Sequence, residues 1–181
     1  MSVQSDRVWT YADYAALPDD GHRYQVIEGE LVMSPSANTR HQRIVGRVFM
    51  FIVDHLRGHG GGQVFVAPYD VVMADTVVVQ PDVLFVADAD AHKITDANLQ
   101  GAPTLAIEVL SDSRLDRVRK RRIYAAHGVP EYWIVDPEAD RVEVYRLVEG
   151  EYPSPTILEP GAVLTTDLLA GLEIDVAALL A

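Results

Sequence analysis

Apolar and polar residues change their spacing several times along this chain, and each change predicts an element. Thr10 followed three residues later by Asp13 predicts an N-capped short helix that Pro18 stops, a candidate lid or entry helix. YQVIEGELVM, residues 24 to 33, carries strand-forming residues on both sides of Gly29 and predicts a hairpin or bent strand. Between His41 and Leu56 the apolar residues Ile44, Val45, Val48, Phe49, Phe51, Ile52 and Leu56 recur at helical spacing. They predict an amphipathic helix of about four turns ending at Gly58. GHGGG, residues 58 to 62, lacks the Gly-Lys-Ser/Thr ending of a phosphate-binding loop and reads as a plain turn.

Beyond it the period shortens. QVFVAPYDVVM (63 to 73) and VVVQPDVLFVA (77 to 87) are β-branched runs around Ala74, Asp75 and Thr76, which predicts an antiparallel hairpin. TLAIEVLS (104 to 111) is a nearly all-apolar strand. Asp112 and Ser113 can cap a helix that runs to about His127 and closes at Gly128. EYWIVDP (131 to 137) and RVEVYRLV (141 to 148) complete the strands, with Tyr132 and Trp133 read as core or dimer contact. The order is helix, strand, strand, strand, helix, strand. It predicts an α/β (α+β) fold with a mixed sheet flanked by helices, because hairpins join the early strands and a helix crosses over after Ser111.

No linker or repeat divides residues 1–181, so one domain is expected, with residues 1–22 and 153–181 as extensions. The C-terminal TDLLAGLEIDVAALL could pack on the core or on a second subunit. With 181 residues, a chain of this length buries enough surface for a core without staples. The absence of cysteine excludes a disulfide scaffold, a thiol nucleophile and thiolate metal sites, so any metal must sit on oxygen or imidazole. No apolar run approaches the length of a membrane span, and charged residues interrupt the N-terminus where a signal peptide would be apolar. A cytoplasmic location without a membrane partner is expected. The net charge of −12 argues against nonspecific attachment to nucleic acid.

Two carboxylates stand out. Asp82 lies within VVVQPDVLFV and Glu108 within LAIEVL, and a carboxylate among β-branched residues is costly unless it is paired or binds a cation. Adjacent strands could present both to one hard divalent ion. Otherwise Asp82 caps a turn after Pro81, and Glu108 pairs with an arginine of the next helix. Gln80 shares the strand face of Asp82.

The chain has thirteen arginines but only two lysines, Lys93 and Lys120. Lys120 follows the Glu108 strand and could reach back to the sheet, where an ammonium suits charge stabilisation beside a metal-activated water. With Asp116 four residues earlier, it could equally form an exposed helix pair. Arg114, Arg117, Arg119, Arg121 and Arg122 join it in a local basic concentration, which could hold a phosphodiester or form a solvated helix face.

RYQVIEGELVMSPS, HQRI, VQPDVLFV and GAPTLAIEVLSDSRLDRVRKRRIYAAHGVPEYWIVDPEADRVEVYRL, in that order, resemble the Uma-two family. This group of restriction-endonuclease-like proteins is mostly bacterial and is assigned to the PD-(D/E)XK nuclease superfamily. The resemblance runs from about Arg23 to about Tyr152. It implies a restriction-endonuclease-like core ordered αβββαβ, with the N-terminal helix and hairpin added. By resemblance, Asp82 is the PD aspartate and Glu108 the acid of the following strand. Leu110 occupies the superfamily's lysine position, and Lys120, four residues before Tyr124, replaces that lysine. The family's glutamate after the tyrosine of the first strand motif is Gln25 here, leaving Glu28 and Glu30 as nearby acids. The loop between Ser111 and Asp116 is about two residues shorter than the family pattern. His41 stands in the family's HQ position.

These readings converge on a Mg2+-dependent endonuclease acting on DNA, in which Mn2+ can substitute. Asp82, Glu108 and the Val109 carbonyl are expected to ligate the metal, Lys120 to stabilise charge and Glu28 to be a further catalytic acid. Arg117, Arg119, Arg121 and His41 are expected to contact nucleic acid, and a homodimer would cut both strands. The alternative is a catalytically inactive nuclease-fold module that binds nucleic acid or protein. A hydrolase of small phosphate esters is a third reading.

Overall fold

A computed structural model describes residues 7–34, 36–111 and 115–181. Helix α1 (Tyr11–Ala15) opens with the expected cap, a full capping box between Thr10 and Asp13. Strands β1 (Tyr24–Ile27) and β2 (Glu30–Met33) form the expected hairpin. Glu28 and Gly29 make its turn with φ of 55° and 80°, the left-handed pair that matches the twist of a tight hairpin. Helix α2 (Thr39–His59) is longer than predicted at both ends, capped by Asn38 and stopped at Gly60.

The hairpin of residues 63–87 forms, but each of its runs breaks and changes sheet. The first run becomes β3 (Gly62–Val66) and β4 (Val71–Ala74), the second β5 (Val77–Val79) and β6 (Val83–Ala87). β3 pairs with β6 and β4 with β5, both antiparallel. Gln80, Pro81 and Asp82 make the crossing, where Pro81 has no N–H to continue the ladder. Asp82 therefore sits just ahead of a strand rather than inside one.

β7 (Leu99–Gln100) runs parallel to β4, and β8 (Leu105–Val109) is fully buried. The predicted caps Asp112 and Ser113, together with Arg114, lie outside the described residues. The predicted crossover helix begins as a π-helical segment, Leu115–Lys120, and continues as α3 (Arg121–Ala126), closed by Gly128 at φ 76°. β9 (Glu131–Asp136), β10 (Arg141–Arg146) and β11 (Thr156–Leu158) complete the main sheet.

That sheet runs β11-β10-β9-β8-β6-β3, and among the described residues its single parallel pair is β8 with β9, joined through α3. α2, β3, β6, β8, α3 and β9 thus give the expected αβββαβ order in a mixed sheet. A second sheet runs β2-β1-β5-β4-β7. Period-two alternation splits the core. Leu105, Ile107, Val109, Trp133 and Val135 face α2, while Ala106, Tyr132 and Ile134 pack with Ile123 and Tyr124 of α3 and with Ile27, Val71 and Val79 of the second sheet. α1 closes over the outer face of that second sheet.

The C-terminal segment packs on the core rather than presenting an apolar face. Strands β12 (Val163–Leu164) and β13 (Ile174–Asp175) pair, helix α4 (Val176–Leu180) follows, and their apolar side chains join the α2 cluster. No helix among the described residues is long and apolar enough to cross a membrane.

Candidate active site

β6 and β8 bring the two carboxylates together. Val83 pairs with Ile107, so one step beyond this pair Asp82 and Glu108 stand side by side at the sheet edge. Asp82 is held by two donors on one oxygen. The Val109 N–H donates to its Oδ2 at 2.8 Å, and His41 Nε2, from the first turn of α2, lies 3.1 Å from the same atom. Glu108 faces the other helix, where Lys120 Nζ is 2.8 Å from Oε1 and the Tyr124 hydroxyl donates to Oε1 at 2.8 Å. Lys120 also lies 3.5 Å from Asp116.

Glu108, Lys120 and Asp116 are each only 3% exposed, so their charges act on one another with little screening. Burial pushes the Glu108 carboxyl up to about 8; the Lys120 ammonium opposes this, while Asp82 and Asp116 add to it. Burial alone would lower the Lys120 pKa, but the Glu108 and Asp116 carboxylates outweigh it and the ammonium is held above its usual range. The lysine remains a cation, and Glu108 is the acid whose charge is left under-compensated. Such a perturbed pair in a cleft marks a functional-site candidate. The exposed Asp116–Lys120 helix pair that the spacing allowed is instead fully buried.

Arg23, Gln25, Ser34, Ala37, His41, Gln80, Asp82, Glu108 and Lys120 line one cleft of about 40 Å³. Gln25, where the family has glutamate, is a brace: its amide donates to Ser34 Oγ at 2.9 Å and its Oε1 accepts from the Gln80 N–H at 3.0 Å. Gln80 donates to Asp70 and to Tyr14, which joins α1 to the cleft wall. Among the described residues its Oε1 is buried without a hydrogen-bond partner.

These donors fit a hard divalent ion. Among the described residues no three histidine, cysteine, aspartate or glutamate side chains form a ready-made cage. However, an ion such as magnesium uses one or two carboxylates and keeps several waters. Among the described residues Asp82 Oδ1 and Glu108 Oε2 accept no hydrogen bond, and the orphaned Gln80 Oε1 supplies another acceptor. The Leu110 N–H bonds across to the Val135 carbonyl, whereas the Val109 N–H turns to Asp82. Since N–H and C=O of one strand residue point the same way, the Val109 carbonyl lies on the Asp82 side.

Other expected residues are placed elsewhere. Glu28 sits in the β1–β2 turn, pairs with Arg122 at 2.5 Å and is not among the cleft residues, because the turn carries it past the end of the strand that holds Gln25. Arg117 is spent on Asp136 at 2.5 Å and Glu143 at 2.7 Å. Arg119 donates to the Ile27 carbonyl and pairs with Glu30 at 2.8 Å. The Arg121 guanidinium lies over the Tyr145 ring, 5.6 Å from its centre. The expected phosphate-binding ridge is thus largely consumed by acids and an aromatic ring from distant strands. His41 is the one expected nucleic-acid contact at the cleft. Sequence reasoning missed Arg23, which stands in an already polar stretch and carries no spacing signal.

A model of the family Uma2, described as "Putative restriction endonuclease", matches residues 11–177. No curated protein matches the chain. Among solved structures, a protein from Anabaena variabilis described as a putative nuclease belonging to DUF820 superposes with a TM-score of 0.80 at 20% identity. The alignment covers 94% of this chain and 97% of that one, and the likeness is one of fold.

Proposed function

This chain belongs to the Uma2 family, and from that premise we propose that it is a divalent-metal-dependent endonuclease that hydrolyses DNA phosphodiester bonds. The observation that carries the reading is the convergence of Asp82, Glu108 and Lys120, from the start of β6, from β8 and from the helix between β8 and β9, on one cleft. Asp82, Glu108 and the Val109 carbonyl would hold Mg2+, or Mn2+ in its place. Bound there, the ion would neutralise phosphate charge and acidify a water.

The protein's own groups supply position and charge. His41 and the Val109 N–H fix the Asp82 carboxylate through Oδ2 and leave Oδ1 without a hydrogen bond among the described residues. Tyr124 and Lys120 do the same for Glu108 through Oε1. The Lys120 ammonium, kept charged by two carboxylates, faces the negative charge that develops on the phosphoryl oxygens. DNA is the polymer expected by family; RNA is distinguished by direct competition.

Calorimetric titration of Mg2+ and Mn2+ into the parent protein and into an Asp82→Asn, Glu108→Gln variant tests the reading, repeated with a short DNA duplex present. Binding in the parent that disappears in the variant, with cleavage lost in parallel, is the expected result. A parent that binds neither ion even beside the duplex overturns it. The pairing of Arg117 and Arg119 within the fold favours a second reading, a non-catalytic module of the same family. That module would bind its partner equally well without metal.

A further inference from the structure

We infer that Arg23 is the phosphate-gripping residue of this cleft, an inference that rests on the nuclease reading above. Arg23 lines the cleft together with Asp82, Glu108 and Lys120. Its carbonyl accepts from the Ser34 N–H at 2.8 Å, which ties its backbone to the end of β2. Two residues on, Gln25 is clamped at both ends of its amide, so the chain leading from Arg23 into β1 is held in place. The guanidinium itself makes no hydrogen bond or ion pair among the described residues, and the residue as a whole is half-buried. Its neighbours in space are treated differently. Arg119 and Arg122, which reach the same hairpin, are taken by Glu30, the Ile27 carbonyl and Glu28.

A guanidinium at the cleft without a protein acceptor is available to a ligand, and its planar fork matches the oxygens of a phosphate. The charge around the cleft points the same way. Among the charged residues that line the cleft, the Asp82 and Glu108 carboxylates face Lys120 and Arg23. A divalent ion at the two carboxylates leaves that lining with a positive surplus, which suits the negative charge of a phosphodiester, and Arg23 supplies part of that surplus. His41 cannot substitute, because its Nε2 is already committed to Asp82.

Arg23→Gln and Arg23→Lys test the assignment. Binding of a short labelled DNA duplex is followed by fluorescence anisotropy across a salt series, with calcium in place of magnesium to hold the site's charge. Magnesium affinity without DNA is measured by calorimetry, together with the thermal midpoint. The expected result is duplex binding weakened about tenfold or more in Arg23→Gln, the loss of one charge-assisted contact. The slope of log K against log salt falls in magnitude by about one. Arg23→Lys recovers part of the affinity, and magnesium affinity and thermal midpoint stay at the parent's values.

If Arg23→Gln matches the parent in affinity and salt slope while the parent binds magnesium and duplex, Arg23 is not the phosphate ligand and the nuclease reading stands. If Arg23→Gln loses magnesium affinity or melts early, its role is structural and the inference fails. A parent that binds neither magnesium nor duplex overturns both readings.

Discussion

Two buried ion clusters hang from the same helical segment, and they are built to opposite ends. At one, Arg117 reaches Asp136 and Glu143 across β9 and β10; at the other, Lys120 reaches Glu108 and Asp116. Burial alone would raise the carboxyls of Asp136 and Glu143, yet Arg117 and neighbouring donors outweigh it and hold both below their usual range. The Arg117 cluster is charge-matched, because Arg141 also pairs with Glu143 at 2.9 Å. Tyr145 donates to Glu143, and the Ala139 and Glu138 N–H groups donate to Asp136. At the Lys120 cluster Glu108 is instead pushed up to about 8 by burial, with an orphaned amide oxygen at Gln80 beside it. A buried ion pair alone does not mark a site. The carboxylates of the two clusters are displaced in opposite directions, and it is the one pushed up by burial inside a cleft that marks a functional-site candidate.

The two clusters separate most visibly through Asp82→Asn or Glu108→Gln. Either change should cut phosphodiester hydrolysis by about a thousandfold or more, since charge stabilisation at a metal site is worth several kcal/mol in the transition state. The fold should survive. If either variant cleaves DNA as fast as the parent, the cleft is not the reaction centre.

Arg117→Ala should do the reverse. Removing one partner of a buried pair leaves the others uncompensated, at a cost of about 3 kcal/mol in denaturant melts, discounted slightly for the partial exposure of Arg117. Magnesium affinity should stay at the parent's value. A loss of metal binding with unchanged stability would invert the assignment of the two clusters.

That loss of stability should also depend on pH. Asp136 and Glu143 have lowered folded-state pKa values, so the stability they contribute is complete above the unfolded carboxylate range, about pH 4, and is lost as pH falls through the folded values. The stability gap between parent and Arg117→Ala should hold from neutral pH to about pH 5 and close in stronger acid. A gap that widens on acidification would contradict the charge-matched reading.

The three groups of the candidate site were legible because each broke a local pattern. Asp82 and Glu108 are acids in β-branched runs, and Lys120 is a lysine in an arginine-rich chain. The αβββαβ order was legible because spacing periods change where elements change. The sheet switch at Gln80-Pro81-Asp82 was not, because the apolar run continues through it and only the missing N–H of Pro81 hints at a break. The arginine cluster misled for a physical reason. Local density of one charge is visible along the chain, but the acids that neutralise it, Glu30, Asp136 and Glu143, arrive from strands distant in sequence. The π-helical segment over Leu115–Lys120 leaves no compositional trace either.

The smallest effect is expected at Glu28, and it separates turn chemistry from site chemistry. Glu28 adopts φ 55° beside Gly29, a position that asparagine tolerates better than glutamate. Its pairing with Arg122 is between two exposed side chains, worth roughly 0.5 kcal/mol or less. Glu28→Asn therefore removes the carboxylate while suiting the turn, and the two effects should nearly cancel in a thermal melt. Cleavage should match the parent, because Glu28 lies past the end of β1 and outside the cleft. A tenfold fall in cleavage with an unchanged melting midpoint would bring Glu28 back into the reaction and imply that the β1–β2 turn closes onto bound DNA.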